Sequence, residues 1–223
     1  MQLPPVSSTY TTRVRFGHYV LRRLRREKLG ELAVECERVT ANVRTCGRAC
    51  EDAEVVVQEA FADRDAADDG LDDTAQLTRH ALASRSLDAT RKAPYTLIFP
   101  EGISYYIDAG ITEEVARYTE LKTRITTHLP ESDTVRHEAV TKLDQGLAEY
   151  RSAEGSLTQA QTAVSLAGTR LDAATAEWAR TLERVYGALI HQVGKAAAER
   201  FFPHPSKSKK AKKAAPRPAT PDA

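Results

Sequence analysis

Aromatic residues are scarce in this chain of 223 residues, which has eight Tyr, five Phe and one Trp, together 6% of the sequence. So few large side chains argue against the thick core of an ordinary globular domain. The three cysteines are too few for a disulfide framework and favour a reducing, cytoplasmic location. No apolar run approaches the roughly 20 residues needed to cross a bilayer. The first 16 residues also contain no uninterrupted apolar segment of the kind found in secretory signals.

The usual signatures of catalytic and metal sites are missing from the sequence. The glycines are scattered singly, so no phosphate-binding loop is predicted, and neither a nucleophile elbow nor an HExxH helix occurs. No His follows a Glu by three residues, which excludes the signature of a carboxylate-bridged di-iron bundle. We therefore expect no enzyme activity, no cofactor, no metal and no small-molecule substrate.

Two short motifs resemble metal sites but fail on their spacing. Cys46 and Cys50 lie on one predicted helical face, yet no His is near in sequence, so both are interpreted as small core residues. The acidic run 63–70 superficially resembles a calcium loop. However, Ala67 and Asp68 occupy the positions at which an EF-hand needs an oxygen ligand and a glycine. We interpret this run as a solvated acidic helix face.

Proline is absent from residues 6–93 and 131–202, and both stretches carry apolar residues at steps of three and four. This is the spacing of a coiled-coil seam, whose residues face a partner helix. The seam positions of the first stretch are Leu29, Leu32, Cys36, Val39, Val43, Cys46, Cys50, Ala53, Val57 and Ala60. Those of the second are Val140, Leu143, Leu147, Tyr150, Ala153, Leu157, Ala160, Val164, Ala167, Leu171, Ala174, Trp178, Leu182, Val185 and Leu189. The recurring alanines favour close antiparallel packing.

The predicted fold is all-α: a long antiparallel helical hairpin, or coiled coil, with a short helix and an apolar loop at the turn. A compact four-helix bundle is the alternative, and it depends on whether Gly70 interrupts the first helix. The short helix is predicted over 112–128, with Ser132 or Asp133 capping the second arm. The predicted segments are a basic N-terminal segment at 1–28, a first helical arm at 29–93, an apolar connection at 94–131, a second arm at 132–202 and a disordered basic tail at 203–223.

The connection contains two short runs that favour β-structure, 95–99 and 103–107. They are predicted either to pair as a small hairpin or to pack as an apolar loop. Four aromatic side chains in these runs are candidates for an exposed apolar tip that binds a partner: Tyr95, Phe99, Tyr105 and Tyr106. The alternative is that they close the end of the helical pair.

The formal net charge of +1 conceals a strong separation of charge along the chain. Residues 1–28 carry seven basic and one acidic side chain, and residues 195–223 carry eight basic and two acidic, so each segment has a net charge of +6. Residues 51–73 instead carry ten carboxylates and one arginine. In a hairpin the two basic segments meet at one end, where they are predicted to form a polyanion-binding basic pole. Its candidate residues are Arg22, Arg23, Arg25, Arg26, Lys207, Lys209, Lys210, Lys212 and Lys213. The alternative is a tail that only solubilises the protein.

These features predict a non-enzymatic coiled-coil scaffold or adaptor for protein–protein assembly, with a protein partner and self-association into an oligomer. Self-association is expected because two helices alone bury little surface. The alternative function is a nucleic-acid-associated protein that binds phosphates without sequence specificity through the basic pole. Contact of the basic N-terminal helix with a membrane surface is the least favoured interaction.

Overall fold

Two long helices, α2 (Gly30–Ala83) and α6 (Thr134–Val193), pack against each other as an all-α helical hairpin. The computed structural model describes residues 1–203. The other helices of this described part are α1 (Tyr10–Arg26), α3 (Tyr95–Ile98), α4 (Ser104–Ile107), α5 (Glu114–His128) and α7 (Lys195–Glu199), with a 3-10 turn at Ala89–Arg91 and no strand. The predicted fold class is therefore confirmed.

The predicted seam lies inside the helical pair: all of its positions in the two stretches are buried or half-buried. The pairing is antiparallel, since Arg38 bonds to Glu177 at 2.7 Å, whereas Glu35, earlier in α2, bonds to Arg184, later in α6. A Cβ on Gly146 would lie 2.8 Å from the Leu71 side chain, so the two helices approach closely there. α2 continues through Gly70 without a break, which removes the condition for the four-helix bundle.

The packing of the described residues divides into two units, one made of residues 1–47 and 170–203, and the other of residues 48–169. In the first unit α1 and α7 join segments of α2 and α6 around a core centred on Trp178, which is 1% exposed. The rings of Trp178 and Phe16 pack in a T-shaped arrangement at a centroid distance of 5.8 Å. The Trp178 Nε1–H donates a hydrogen bond of 3.3 Å to Thr40 Oγ1. Trp178 is thus a core anchor.

The first helix begins and packs as its sequence dictates. Thr9 precedes it, and the Thr9 hydroxyl oxygen accepts a hydrogen bond of 3.3 Å from the backbone N–H of Thr12, as an N-cap should. Phe16, Val20 and Leu24 recur at four-residue intervals and are buried in the core. The arginines of the last turn are stabilised by the negative end of the helix dipole.

In the second unit α5 and the short helices α3 and α4 pack with segments of α2 and α6. Its core consists of Ala67, Leu71, Ala75, Leu82, Ile98, Phe99, Tyr106, Tyr118, Leu121, Ile125, Leu129, Ala139, Leu143, Leu147 and Tyr150. Asp133 caps α6 by accepting a hydrogen bond of 3.0 Å from the backbone N–H of Val135. Its ion pair with Arg85 holds the pKa of the Asp133 carboxyl below its ordinary value. The short helix and the Asp133 cap agree with the sequence analysis.

The two runs that favour β-structure are single turns of helix, α3 and α4, rather than strands of a hairpin. The reason is visible in the first of them. The rings of Tyr95 and Phe99 pack at a centroid distance of 5.6 Å, and the Phe99 N–H donates to the Tyr95 carbonyl at 2.9 Å. Residues four apart are neighbours on a helix but lie far apart along a strand. Packing of these side chains therefore outweighs the local preference for β-structure here.

Both arms end earlier than the proline spacing suggests. α2 stops at Ala83 rather than 93 because Leu82 is its last buried apolar side chain and Leu87 is fully exposed. α6 stops at Val193, where Gly194 takes a φ of +80° that side chains rarely adopt. Within residues 1–203 no helix is both long and apolar enough to cross a membrane. The predicted basic tail lies, from residue 204 onward, outside the described residues.

Candidate functional site

Three carboxylates from two helices meet in the second unit. Asp68 and Asp72 lie one helical turn apart on α2 and share a face, and Glu114 projects from the first turn of α5. One oxygen of each side chain lies within 4.8 Å of the others. We call this group the carboxylate cluster. Like charges this close cannot all stay ionised without a proton or a cation between them.

The most buried member of the carboxylate cluster is Glu114, which is 4% exposed. Its Oε1 has no hydrogen-bond partner within the described chain, and the carboxyl of Asp68 lies within hydrogen-bonding reach of the side chain. Burial, followed by the neighbouring Asp68 and Asp72, raises the pKa of Glu114 to about 8, against a smaller opposing effect of Arg117. The folded chain therefore favours the protonated form of Glu114 more than the unfolded chain does.

A buried tyrosine orients the cluster. Tyr118 lies one turn after Glu114 on α5, and its hydroxyl donates to Asp72 Oδ1. Burial raises the pKa of Asp72, although the Tyr118 hydrogen bond acts in the opposite direction. Tyr150 of α6 is also buried, and desolvation together with Glu114 and Asp68 raises its pKa. The cluster is thus bordered by side chains of α2, α5 and α6, with Asp68 and Asp72 partly exposed to solvent.

Sequence reasoning missed this cluster because Glu114 is far from the acidic run in the chain. The run 63–70 lies within continuous helix and does not form an EF-hand loop, as expected. Most of its carboxylates are solvated, but Asp68 is half-buried and points toward Glu114. One signal was present: Glu114 occupies the first position of the stripe that buries Tyr118, Leu121 and Ile125. A carboxylate on a core stripe is the feature that would have identified it.

The four aromatic residues predicted to form an exposed tip are divided by the structure. Phe99 is 3% exposed and Tyr106 is completely buried, where it donates a hydrogen bond of 2.9 Å to the carbonyl of Ile98. Burial raises the pKa of Tyr106 to about 12. Tyr95 and Tyr105 are half-buried. The four therefore do not form one exposed patch, because two of them supply the core that the end of the helical pair needs.

The half-buried members of that group also have partners within the chain. Arg117 lies over the Tyr105 ring at 4.6 Å, and the Tyr105 hydroxyl donates to Glu120 at 2.8 Å. The Tyr95 hydroxyl accepts a hydrogen bond of 3.1 Å from Arg79. These contacts leave little free aromatic surface for a partner.

The arginines predicted for the basic pole occupy different environments. Arg22 and Arg26 are exposed, with no ion pair among residues 1–203. Arg25 pairs with Glu37 at 2.6 Å, and the half-buried Arg23 has a buried Nε that finds no acceptor in the described part of the chain. The lysines of the predicted pole, Lys207, Lys209, Lys210, Lys212 and Lys213, lie outside the described residues.

Two surface residues missed by the sequence analysis complete a stripe with these arginines. Arg15 and Tyr19 are exposed on α1, and with Arg22 and Arg26 they follow steps of four, three and four residues on one face. The end of the described chain lies beside this helix, since the rings of Phe202 and Phe16 pack at a centroid distance of 6.3 Å. We call this set the α1 arginine stripe.

None of the protein-family models, curated protein sequences or solved structures with which the chain was compared matches it.

Proposed function

We propose that the protein is a non-enzymatic helical scaffold that assembles with a second copy of itself. The observation that carries this proposal is an uncharged stretch of α6. Residues 155–169 contain no Asp, Glu, Lys or Arg, whereas a chain with 28% charged residues would place about four in 15 positions. Interfaces between protein chains are depleted in charge at their centres.

The outward face of this stretch suits contact with another helix. Its exposed residues Gly155, Gln159, Thr162, Leu166 and Thr169 recur at helical spacing, and Leu166 is 50% exposed. A Cβ at Gly155 would meet no atom within 4 Å, so packing within the chain does not require glycine there. Glycine costs about 1 kcal/mol relative to alanine in a helix. Close approach by a partner helix would offset that cost. We call this surface the uncharged α6 face.

Charge favours a second copy meeting through this face. The segment 51–73 of α2 carries ten carboxylates and one arginine, so contact between two copies through α2 would bring like charges together. The uncharged α6 face avoids this repulsion and can pair with itself about a two-fold axis, which is the commonest arrangement of homodimers. Such an assembly depends on apolar and close-packed contacts, so it is expected to persist at high salt.

We expect Leu166→Arg to weaken self-association by about tenfold or more, because it places two like charges at the centre of the contact. Sedimentation velocity over a range of concentrations measures the effect. Leu77→Arg is the matched control, since Leu77 is an exposed leucine of α2, away from this face, and is 57% exposed. The proposal fails if Leu166→Arg and Leu77→Arg sediment alike.

The α1 arginine stripe favours a second candidate function, sequence-independent binding of nucleic acid. Three exposed arginines without ion pairs among residues 1–203, with Tyr19 between them, present charge and a stacking surface to a phosphate backbone. The lysine-rich sequence 207–213 follows shortly after the residues that pack beside α1. This binding would be electrostatic and would weaken with salt.

For this candidate, replacing Arg15, Arg22 and Arg26 together by Gln should weaken binding to a duplex of about 30 base pairs by about tenfold or more at low salt. The slope of log affinity against log salt concentration should fall by about 2 to 3, since each lost phosphate contact removes about 0.9. Fluorescence anisotropy measures both quantities. A control of equal charge replaces the exposed Lys142, Arg151 and Arg170 of α6. Equal losses in the two triple variants would contradict a specific role for α1.

A further inference from the structure

We propose that the carboxylate cluster of Asp68, Asp72 and Glu114 binds one hard divalent cation of the Mg²⁺, Mn²⁺ or Ca²⁺ class, which joins α2 to α5. This inference goes beyond the scaffold function and does not depend on it. The donors are three carboxylate oxygens, and the cluster contains no thiol or imidazole. An all-oxygen set of this kind suits these hard cations, whereas zinc and copper sites are usually built with imidazole or thiolate ligands.

The spacing of the oxygens fits one ion. All three lie within 4.8 Å of one another. Two oxygens on opposite sides of an ion are separated by twice the metal–oxygen distance. This oxygen–oxygen separation is about 4.0–4.2 Å for Mg²⁺ and about 4.6–5.2 Å for Ca²⁺. Oxygens on adjacent coordination positions lie closer. The three carboxylates can therefore reach the same ion with small rotations of their side chains, and water can complete the coordination.

The buried Glu114 oxygen points to a ligand independently of the clustering of charge. Glu114 is 4% exposed, its Oε1 has no hydrogen-bond partner within residues 1–203, and one oxygen of its carboxyl group lies within 4.8 Å of oxygens of Asp68 and Asp72. Burying a hydrogen-bond acceptor without giving it a donor costs free energy, and native proteins rarely leave such a group unsatisfied. A cation at the cluster satisfies that oxygen and neutralises the repulsion among the three carboxylates.

Charges of both signs surround the cluster. On α2, Asp69 adds to the field at Asp72, as does Asp108, which follows α4, whereas Arg64 acts on Asp68 while it pairs with Asp65. On α5, Tyr118 donates to Asp72, and Arg117 is the cation that acts on Glu114. On α6, Tyr150 interacts with Glu114 and Asp68. Arg117 also pairs with Glu113 and lies over the Tyr105 ring, so its charge is shared with groups outside the cluster.

The bound ion should also stabilise the fold. Because the ligands come from two helices, it should raise the melting temperature of the intact chain.

The experiment titrates the full chain with Mn²⁺ alone at about pH 8.5 and follows loss of the free-ion electron paramagnetic resonance signal. We expect one tight site per chain, with affinity reduced about tenfold or more in Glu114→Gln and in Asp68→Asn. Asp69→Asn is the matched control, because it removes the same charge from the exposed neighbour of Asp68. It should change the affinity by less than about threefold.

Three results would overturn the proposal. One is the absence of a saturable site at about millimolar Mn²⁺ in the wild type. Another is equal weakening by Asp68→Asn and Asp69→Asn, which would show only diffuse attraction to the acidic helix. The third is unchanged binding in Glu114→Gln. That variant is isosteric and removes no hydrogen bond from Oε1, so its fold should be retained, and circular dichroism checks this.

Discussion

Replacing Val43 by aspartate should lower the free energy of unfolding by about 3–5 kcal/mol, because it places an unpaired charge in the core of the first unit. Val43 is completely buried at a seam position of α2 and belongs to the same core as Trp178. A carboxylate at that point would have no contact with solvent. The new side chain must therefore hold a proton at neutral pH or open the packing.

Val34→Asp is the matched control for this prediction. Val34 is a valine of the same helix and the same unit but is 67% exposed, so its replacement should change the stability by no more than about 0.5 kcal/mol. Urea unfolding followed by fluorescence reports the difference, because the single tryptophan of the chain lies in this core. Similar midpoints for the two variants would show that the seam does not stabilise the fold as described.

The second large effect concerns pH: the chain should lose about 3–4 kcal/mol of stability between about pH 5 and pH 8 in the presence of a chelator. The pKa of Glu114 is raised to about 8, above its ordinary value, so the folded state holds the proton more tightly than the unfolded state. Stability from this group is complete below its ordinary pKa and is lost as pH rises through about 8. The raised pKa of Asp72 acts in the same direction.

Glu114→Gln should remove most of this pH dependence, since the amide is neutral at every pH in the window. The variant is expected to be more stable than the wild type near pH 8.5 and similar near pH 5. Glu138→Gln, at an exposed position of α6, should follow the wild-type curve. Chemical denaturation at four or five pH values measures the slopes. A wild-type stability that rises across this window would show that Glu114 is ionised in the folded state.

The paired helices could be predicted because their signal is local and repeated. An apolar residue at every third or fourth position specifies which face of a helix is buried, whatever that face meets, and Val43, Leu143 and Trp178 are all in the core as this pattern requires. Antiparallel pairing was predicted from the alanines that recur along the seam of the second stretch and allow a close approach. The cap at Asp133 was equally local, because it depends on one side chain and a backbone N–H two residues later.

The features that escaped prediction depend on side-chain contacts that no periodic pattern in the sequence specifies. α3 and α4 form because Tyr95, Phe99 and Tyr106 pack together, and this packing outweighs their preference for strands. The carboxylate cluster requires Glu114 to meet Asp68 and Asp72, more than 40 residues earlier, and no spacing rule connects them. Arg25 pairs with Glu37, whereas Arg22 has no ion pair among residues 1–203. This difference likewise depends on the neighbouring helix.

Self-assembly of the wild-type chain tests the central claim most directly. Sedimentation equilibrium over a wide range of concentrations, at about 0.1 M and about 1 M NaCl, gives the mass in each condition. The scaffold proposal predicts a species of twice the 24.6 kDa chain mass at both salt concentrations. A mass of 24.6 kDa throughout, or a dimer that dissociates at high salt, would contradict assembly through the uncharged α6 face.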